Sequence, residues 1–360
     1  MKQFIKKYGG MTALLALWLG LSLWAWVKPA DANSLSERRA LAQFPEAVSD
    51  FADDFSAYAT DQFPLREPFR QLKAWVSTQL FRQSDNNGIY IADGSAAEML
   101  YPLDENSLDY AAARFTDLYQ TYFQDANQIL FAIVPDKNYY LAQSSGHLAL
   151  DYDALFAAME SSLPWAEFVD LTDCLTAASY YRTDTHWRQE ALLPTAQRLG
   201  EALGVSLLDS FTQETLDRDF YGVYYGQAAL PLEPDALSYL TWEGWEDCAV
   251  YSYDTGETTQ IYDFGKLDSN DRYDFFLSGG MALQTITNPH ADTDRELIVF
   301  RDSFGSSLIP LLVQSYRKIT LIDTRYVSPS QLGNYVNFQG QDVLLLYSTL
   351  LLNSSSALRK

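Results

Sequence analysis

Histidine and cysteine are scarce in this chain of 360 residues, and so is positive charge. The three histidines, His147, His186 and His290, lie far apart and without the HExxH-like spacing of a helical zinc site, so no metal is expected. Two cysteines, Cys174 and Cys248, exclude a disulfide framework and a four-cysteine metal site, and leave room for one bridge outside the cytoplasm. With 25 Lys and Arg against 47 Asp and Glu, the net charge is -22. Such a surface repels phosphate backbones, so nucleic acid is not an expected partner, and an anionic ligand would need a local basic pocket. Internal repeats and low-complexity tracts are also missing. The whole chain is 48% hydrophobic, which suits one main domain plus an accessory segment.

The amino terminus carries the first clear signal. Lys2, Lys6 and Lys7 precede an uncharged run from Tyr8 to Val27, close to the roughly 20 residues that cross the hydrocarbon core as a helix. Lysines on its amino side keep residues 1–7 in the cytoplasm and send the rest across. Trp24 and Trp26 suit the outer interface. The expected location is the cell membrane, single-pass, with an extracytoplasmic main domain. Ala30-Asp31-Ala32 also fits a small-x-small cleavage pattern, and a cleaved signal peptide would make the protein secreted.

Residues 28–84 read as an extracytoplasmic helical stalk. From Val48 to Phe81 apolar residues recur at helical spacing (Phe51, Phe55, Tyr58, then Phe69, Leu72, Trp75, Leu80), broken at Phe63-Pro64. Gly88 to Gly94 alternates and ends in Asp-Gly, a short strand or hairpin opening the main domain, 85–360. Helices are expected near 107–124, 151–161, 188–203, 306–316 and 329–336. Strands are expected at Ile129–Val134, Glu167–Leu171, Leu297–Phe300, Ile319–Ile322 and Val343–Tyr347. Near-continuous apolar strands alternating with helices imply a parallel sheet covered on both faces. The fold class is therefore α/β, a flavodoxin-like three-layer sandwich with a central parallel sheet, whose functional groups gather at the carboxyl ends of the strands. Residues of about 205–290 break the rhythm. They read as a β-rich insertion over one end of the sheet, with a hairpin of Cys248–Tyr253 and Thr258–Phe264.

Ser303 follows the strand Leu297–Phe300 and precedes a helix-compatible run, which sets its hydroxyl at the active edge of the sheet near unpaired amides. Those amides could hold an oxyanion. Helix capping by Ser303, or by Asp302, is the plainer alternative. Asp184 and His186 lie two apart before another helix; in an extended segment they share a face, and the carboxylate can orient the imidazole as general base for Ser303. The plainer alternative makes Asp184 or Thr185 a cap and His186 a packing residue. Lys137, after the first core strand, is placed to meet a sugar carboxylate or simply to be exposed. Arg325 and Tyr326, after Ile319–Ile322, reach the same edge as Ser303 and are candidate substrate contacts, a surface salt bridge being the other role for Arg325. Aromatics are abundant (24 Tyr, 20 Phe, 8 Trp), which fits stacking on sugars but more often reflects core filling.

Thr183-Asp184-Thr185-His186-Trp187 resembles the Asp-x-His-Trp signature of the DHHW protein family and of the related alginate O-acetyltransferase proteins, which are SGNH-hydrolase-like. Arg301-Asp302-Ser303-Phe304 is similar to their Gly-Asp-Ser-Phe nucleophile segment. Further likeness lies in Glu37-Arg-Arg-Ala-Leu-Ala-Gln-Phe-Pro45, Asp61-Gln-Phe-Pro-Leu-Arg66 and Val134-Pro-Asp-Lys137. The resemblance implies an SGNH-hydrolase-like fold and a triad of Asp184, His186 and Ser303. It also implies transfer or hydrolysis of O-acetyl groups on a cell-surface or exported polysaccharide, with no metal or organic cofactor. Transfer would bring in a polysaccharide acceptor and a membrane-bound acyl-transfer partner. The sequence departs from the pattern at Arg301, where Gly is usual, at Thr185, and at Arg188-Gln-Glu-Ala191; Arg301 is expected to narrow the approach to the serine and touch substrate. A different class also fits: a non-catalytic, membrane-anchored glycan-binding or assembly protein that retains the fold.

Overall fold

The long apolar runs of the sequence become the centre of one sheet, and the computed structural model describes residues 2–34, 36–46, 50–207 and 210–360, with side chains from Tyr8 onward. Helix α1 (Lys2–Val27) contains the stretch Tyr8–Val27, long and apolar enough to cross a membrane. A short ladder of β1 (Asn33–Ser34) and β2 (Arg39–Ala40) follows. Two helices follow, α2 (Phe51–Asp61) and α3 (Arg66–Trp75), the latter continuing as a π-helical turn over Val76–Leu80. Pro64 separates them, as a residue without an amide hydrogen does. Val48, the expected start of the helical stretch, lies outside the described residues. β3 (Ile89–Ala92) and β4 (Ser95–Glu98) form a hairpin whose turn residues, Asp93 and Gly94, both have positive φ (49° and 75°), the conformation that Asp-Gly supplies at low cost.

The main body continues with α4 (Glu105–Tyr122), β5 (Gln128–Val134), α5 (Lys137–Ser145), α6 (Tyr152–Ser162), β6 (Glu167–Val169) and α7 (Leu193–Ala202). Then come β7 (Thr212–Phe220), α8 (Val223–Ala228), β8 (Asp235–Thr241), β9 (Ala249–Ser252), β10 (Thr258–Thr259) and β11 (Leu283–Thr287). The last elements are β12 (Glu296–Arg301), α9 (Gly305–Leu308), β13 (Lys318–Ile322), β14 (Asp342–Ser348) and α10 (Thr349–Leu352). An eight-stranded sheet runs in the order β10-β9-β11-β13-β12-β14-β5-β6. From β13 to β6 all neighbours are parallel. Two separate cores flank the sheet: Leu297, Val299, Leu344 and Leu346 face one with α7, and Ile298, Phe300, Val343 and Leu345 face the other with α4 and α6. This double burial is why these strands lack polar alternation. The result is an α/β three-layer arrangement around a mostly parallel sheet.

The structure revises several expectations. The block 205–290 divides: β7 and β8 pair apart as a hairpin, whereas β9, β10 and β11 join the main sheet as an antiparallel extension beyond β13. The helix expected over 306–316 is only one turn of α9 and then 3-10 from Ile309 to Ser315, because Pro310 cannot donate to the α-helical ladder. Residues 329–334 are likewise 3-10. Helix α5, directly after Asp136, was not anticipated; Asp136 caps it by accepting from the Asn138 amide. Cys174 and Cys248 are both free thiols.

Candidate active site

Ser303 sits just past the carboxyl end of β12, in the turn that leads to α9. Asp302 builds that turn: one carboxylate oxygen accepts from the Phe304 amide at 3.0 Å and the other from the Ser348 amide at 2.8 Å, tying β12 to the end of β14. The Ser303 hydroxyl is therefore not used as a cap. Gly305 and Ser306 donate to the carbonyls of Asp302 and Ser303, so the amides at the helix start are mostly engaged. The Ser303 amide has no protein partner among the described residues. A Cβ on Gly305 would come within 2.9 Å of Arg301 Cβ, so only glycine lets the turn close over the strand end.

The stretch 180–187 folds back on itself, with Tyr180 bridged to Trp187 and the Tyr181 amide donating to the His186 carbonyl at 3.1 Å. Asp184 and His186 meet through a bend rather than an extended strand. Asp184 Oδ1 accepts from the His186 amide at 3.0 Å and from His186 Nδ1 at 2.6 Å, the local closure that aspartate favours. An ionised carboxylate can only accept, so Nδ1 carries the proton and Nε2 is the bare nitrogen. That nitrogen lies 2.8 Å from Ser303 Oγ, across 117 residues of sequence. Tyr273 stacks on the imidazole at 3.8 Å with the rings 7° from parallel, and Trp187 donates to the Phe304 carbonyl at 3.0 Å, coupling the two loops.

Asp184 is fully buried, which alone would raise its carboxyl. The His186 ring, the hydrogen bonds from it, and Arg38 override burial and hold the group well below the usual carboxylate range. Its second oxygen accepts from the Val223 amide at 2.8 Å and stands 3.4 Å from an Arg38 nitrogen. Around it, Asp235 accepts from the Arg182 and Thr183 amides, both at 2.9 Å, and from the Thr183 hydroxyl at 2.6 Å. The loop is thus held by side chains from three directions. In the sequence Arg38 carries no mark of this contact beyond its place in the stretch Glu37–Pro45.

Two expected substrate contacts are not on the surface. Lys137 is 2% exposed, and its ammonium donates to the carbonyls of Ala96 at 2.6 Å, Tyr181 at 2.5 Å and Asp184 at 2.7 Å. It fastens the loop instead of meeting a sugar. Burial pushes it down to about 7, against the pull of Asp184 and Asp235, yet three acceptors call for all three ammonium protons. Arg301 is fully buried behind the serine turn, 3.0 Å from Ser306 Oγ and 3.4 Å from Gln284 Oε1, so it backs the turn and does not narrow the approach. Arg325 forks onto Asp323, with contacts of 2.9 and 2.6 Å, which is the salt-bridge alternative. Tyr326 stays exposed beside Gly280.

The DHHW protein family matches residues 171–322. A DHHW family protein from Eubacterium siraeum DSM 15702 is 20% identical over 76% of this chain and 94% of that chain, at a TM-score of 0.62. Bacillus cereus PatB1 with a sulfonyl adduct is 17% identical over 76% and 97%, at 0.59, and PatB1 itself is 18% identical over 73% and 96%, at 0.57. No curated protein matches the chain. The chain accordingly has the fold of DHHW family proteins, and the segment 171–322, which holds Asp184, His186 and Ser303, is the part that matches that family.

Proposed function

We propose that this protein is an extracytoplasmic, membrane-anchored serine acyltransferase or esterase that moves or removes O-acetyl groups on a cell-surface or exported polysaccharide. The observation that carries the proposal is the continuous hydrogen-bonded line from Asp184 through His186 to Ser303, with steps of 2.6 and 2.8 Å. His186 Nε2 takes the Ser303 proton as Oγ attacks the acetyl carbonyl. The Ser303 amide donates to the oxyanion, and Asp184 stabilises the imidazolium. Collapse breaks the acetyl ester bond, and His186 returns its proton to the departing alcohol. A second hydroxyl, from a sugar or from water, then gives its proton to His186 and takes the acetyl group from Ser303. The motif resemblance to alginate O-acetyltransferase proteins favours a sugar acceptor, with a membrane-bound partner delivering acetyl groups. The sulfonyl adduct on the similarly folded PatB1 suggests a probe, because sulfonyl groups are captured by activated nucleophiles.

The test uses the full chain in detergent, a chromogenic acetate ester and a sulfonyl fluoride. Wild type is expected to release acetate and to be labelled. Ser303→Ala and His186→Ala are expected to lose at least about a thousandfold in kcat. A wild-type protein that neither turns over nor labels, yet binds polysaccharide, would decide for the non-catalytic reading.

A further inference from the structure

The region that matches the family starts at residue 171, yet a side chain from the stalk reaches the Asp184 carboxylate. Arg38 stands eleven positions beyond the end of α1, and its side chain is 8% exposed. One guanidinium nitrogen lies 3.4 Å from Asp184 Oδ2 and 2.8 Å from Asp271 Oδ1. Another donates to the Tyr221 carbonyl, and the guanidinium sits 5.5 Å above the Phe220 ring. These contacts join the three pieces that surround His186. Asp184 orients its Nδ1; Asp271 caps the turn bearing Tyr273, which covers the ring face; and the 220–223 loop supplies the Val223 amide to Asp184.

Arg38 adopts a left-handed backbone (φ 54°), uncommon for a side chain of this size. Its neighbours hold it there. Glu37 pairs with Arg66 and Arg70, Arg39 clasps Asp61 at 2.6 and 2.7 Å, and the Ser36 carbonyl lies where a Cβ of Gly226 would be. The segment 36–39 is thereby fastened to α2 and α3 on one side and to α8 on the other, with Arg38 directed between.

We infer that Arg38 is a positioning residue of the active site, acting through Asp184, so that the segment joining the membrane helix to the domain is a structural part of the catalytic machinery. The inference rests on the serine-enzyme reading above. Arg38 is the cation that reaches the side chain of the buried carboxylate. When His186 gains a proton, the same cation opposes it and helps the imidazolium to pass that proton on. The other charged groups near the ring are Asp184 on its own loop, Asp271 and Asp274 on the Tyr273 turn, Asp302 behind Ser303, and buried Lys137 and Arg301. Arg38 belongs to none of these elements, so its charge can be removed without substituting any of them, although Asp271 then loses its partner.

The experiment compares wild type, Arg38→Ala and Arg38→Lys as full chains in detergent, by ester kinetics against pH and by NMR titration of the three histidines. Removing the cation favours the protonated ring. Arg38→Ala is therefore expected to lower kcat about tenfold or more with KM nearly unchanged, and to move the acid limb of the profile and the His186 titration upward by on the order of half a pH unit. Arg38→Lys, which keeps the charge, should restore the midpoint and most of kcat. If Arg38→Ala does not fold, Arg38→Gln carries the same readouts. An unmoved His186 midpoint overturns the inference even in a protein without turnover, and so does wild-type kcat in the alanine variant. Loss of labelling in wild type would instead overturn the serine reading, which keeps the two failures apart.

Discussion

Gly222 packs directly against Asp184: a Cβ at residue 222 would overlap the Cα and Cβ of Asp184 and the carbonyl oxygen of Thr183. The φ of Gly222 is -80°, so the need for glycine is one of space and not of backbone freedom. Its amide donates to Thr183 Oγ1 at 2.8 Å, and the next amide, Val223, donates to Asp184 Oδ2 at the same distance. Gly222→Ala is expected to push the two loops apart, with a loss of about 1–3 kcal/mol in stability and at least about tenfold in kcat. Denaturant unfolding and ester kinetics on the same preparation check both. Wild-type values in both would contradict the close approach.

Asp184→Asn separates charge from shape. The side chain keeps its size, but a neutral amide can no longer fix which nitrogen of His186 carries the proton. By analogy with serine hydrolases in which the same change is made, kcat should fall on the order of ten-thousandfold while the near-ultraviolet circular dichroism is retained. A loss of less than tenfold would mean that Asp184 acts only in packing.

The parts of the architecture legible in the sequence were those with a local signature. β5, β12, β13 and β14 announce themselves because strands buried on both faces carry unbroken apolar runs. Asp184, His186 and Ser303 could be picked out because each stands at a strand or helix boundary within a short motif. Arg38 could not, since it stands 146 positions before Asp184 and the contact leaves no pattern in either segment. Lys137 and Arg301 misled for a related reason. A lysine after a strand ordinarily points to water, and only the convergence of three carbonyls from Ala96, Tyr181 and Asp184 makes burial tolerable. The placement of β9 to β11 along the β13 edge was hidden likewise, because a short antiparallel hairpin reads the same whether it stands alone or extends a sheet.

Lys137→Met tests that buried ammonium. Methionine keeps most of the volume but leaves three carbonyl oxygens without their donor, so the cost is expected to be about 3 kcal/mol or more. A role in meeting substrate predicts the opposite pattern, a raised KM at unchanged stability. Chemical unfolding together with KM for an ester decides between them.

Asp274 supplies a test in pH. It lies one residue beyond Tyr273, and Gly279 packs so closely on it that a Cβ there would overlap its carboxylate. Burial, assisted by the charge of Asp271 and opposed by Lys266 and Arg38, raises its carboxyl from the ordinary 3.8 to about 6. Between those values the unfolded chain has released this proton and the folded chain still holds it. The folded state therefore binds more protons there, and this group makes stability fall as pH rises from about 4 to about 6, with no further change above. Asp274→Asn removes the titration, so the pH slope of unfolding free energy across that window should flatten relative to wild type. The same slope in both proteins would place the titration elsewhere.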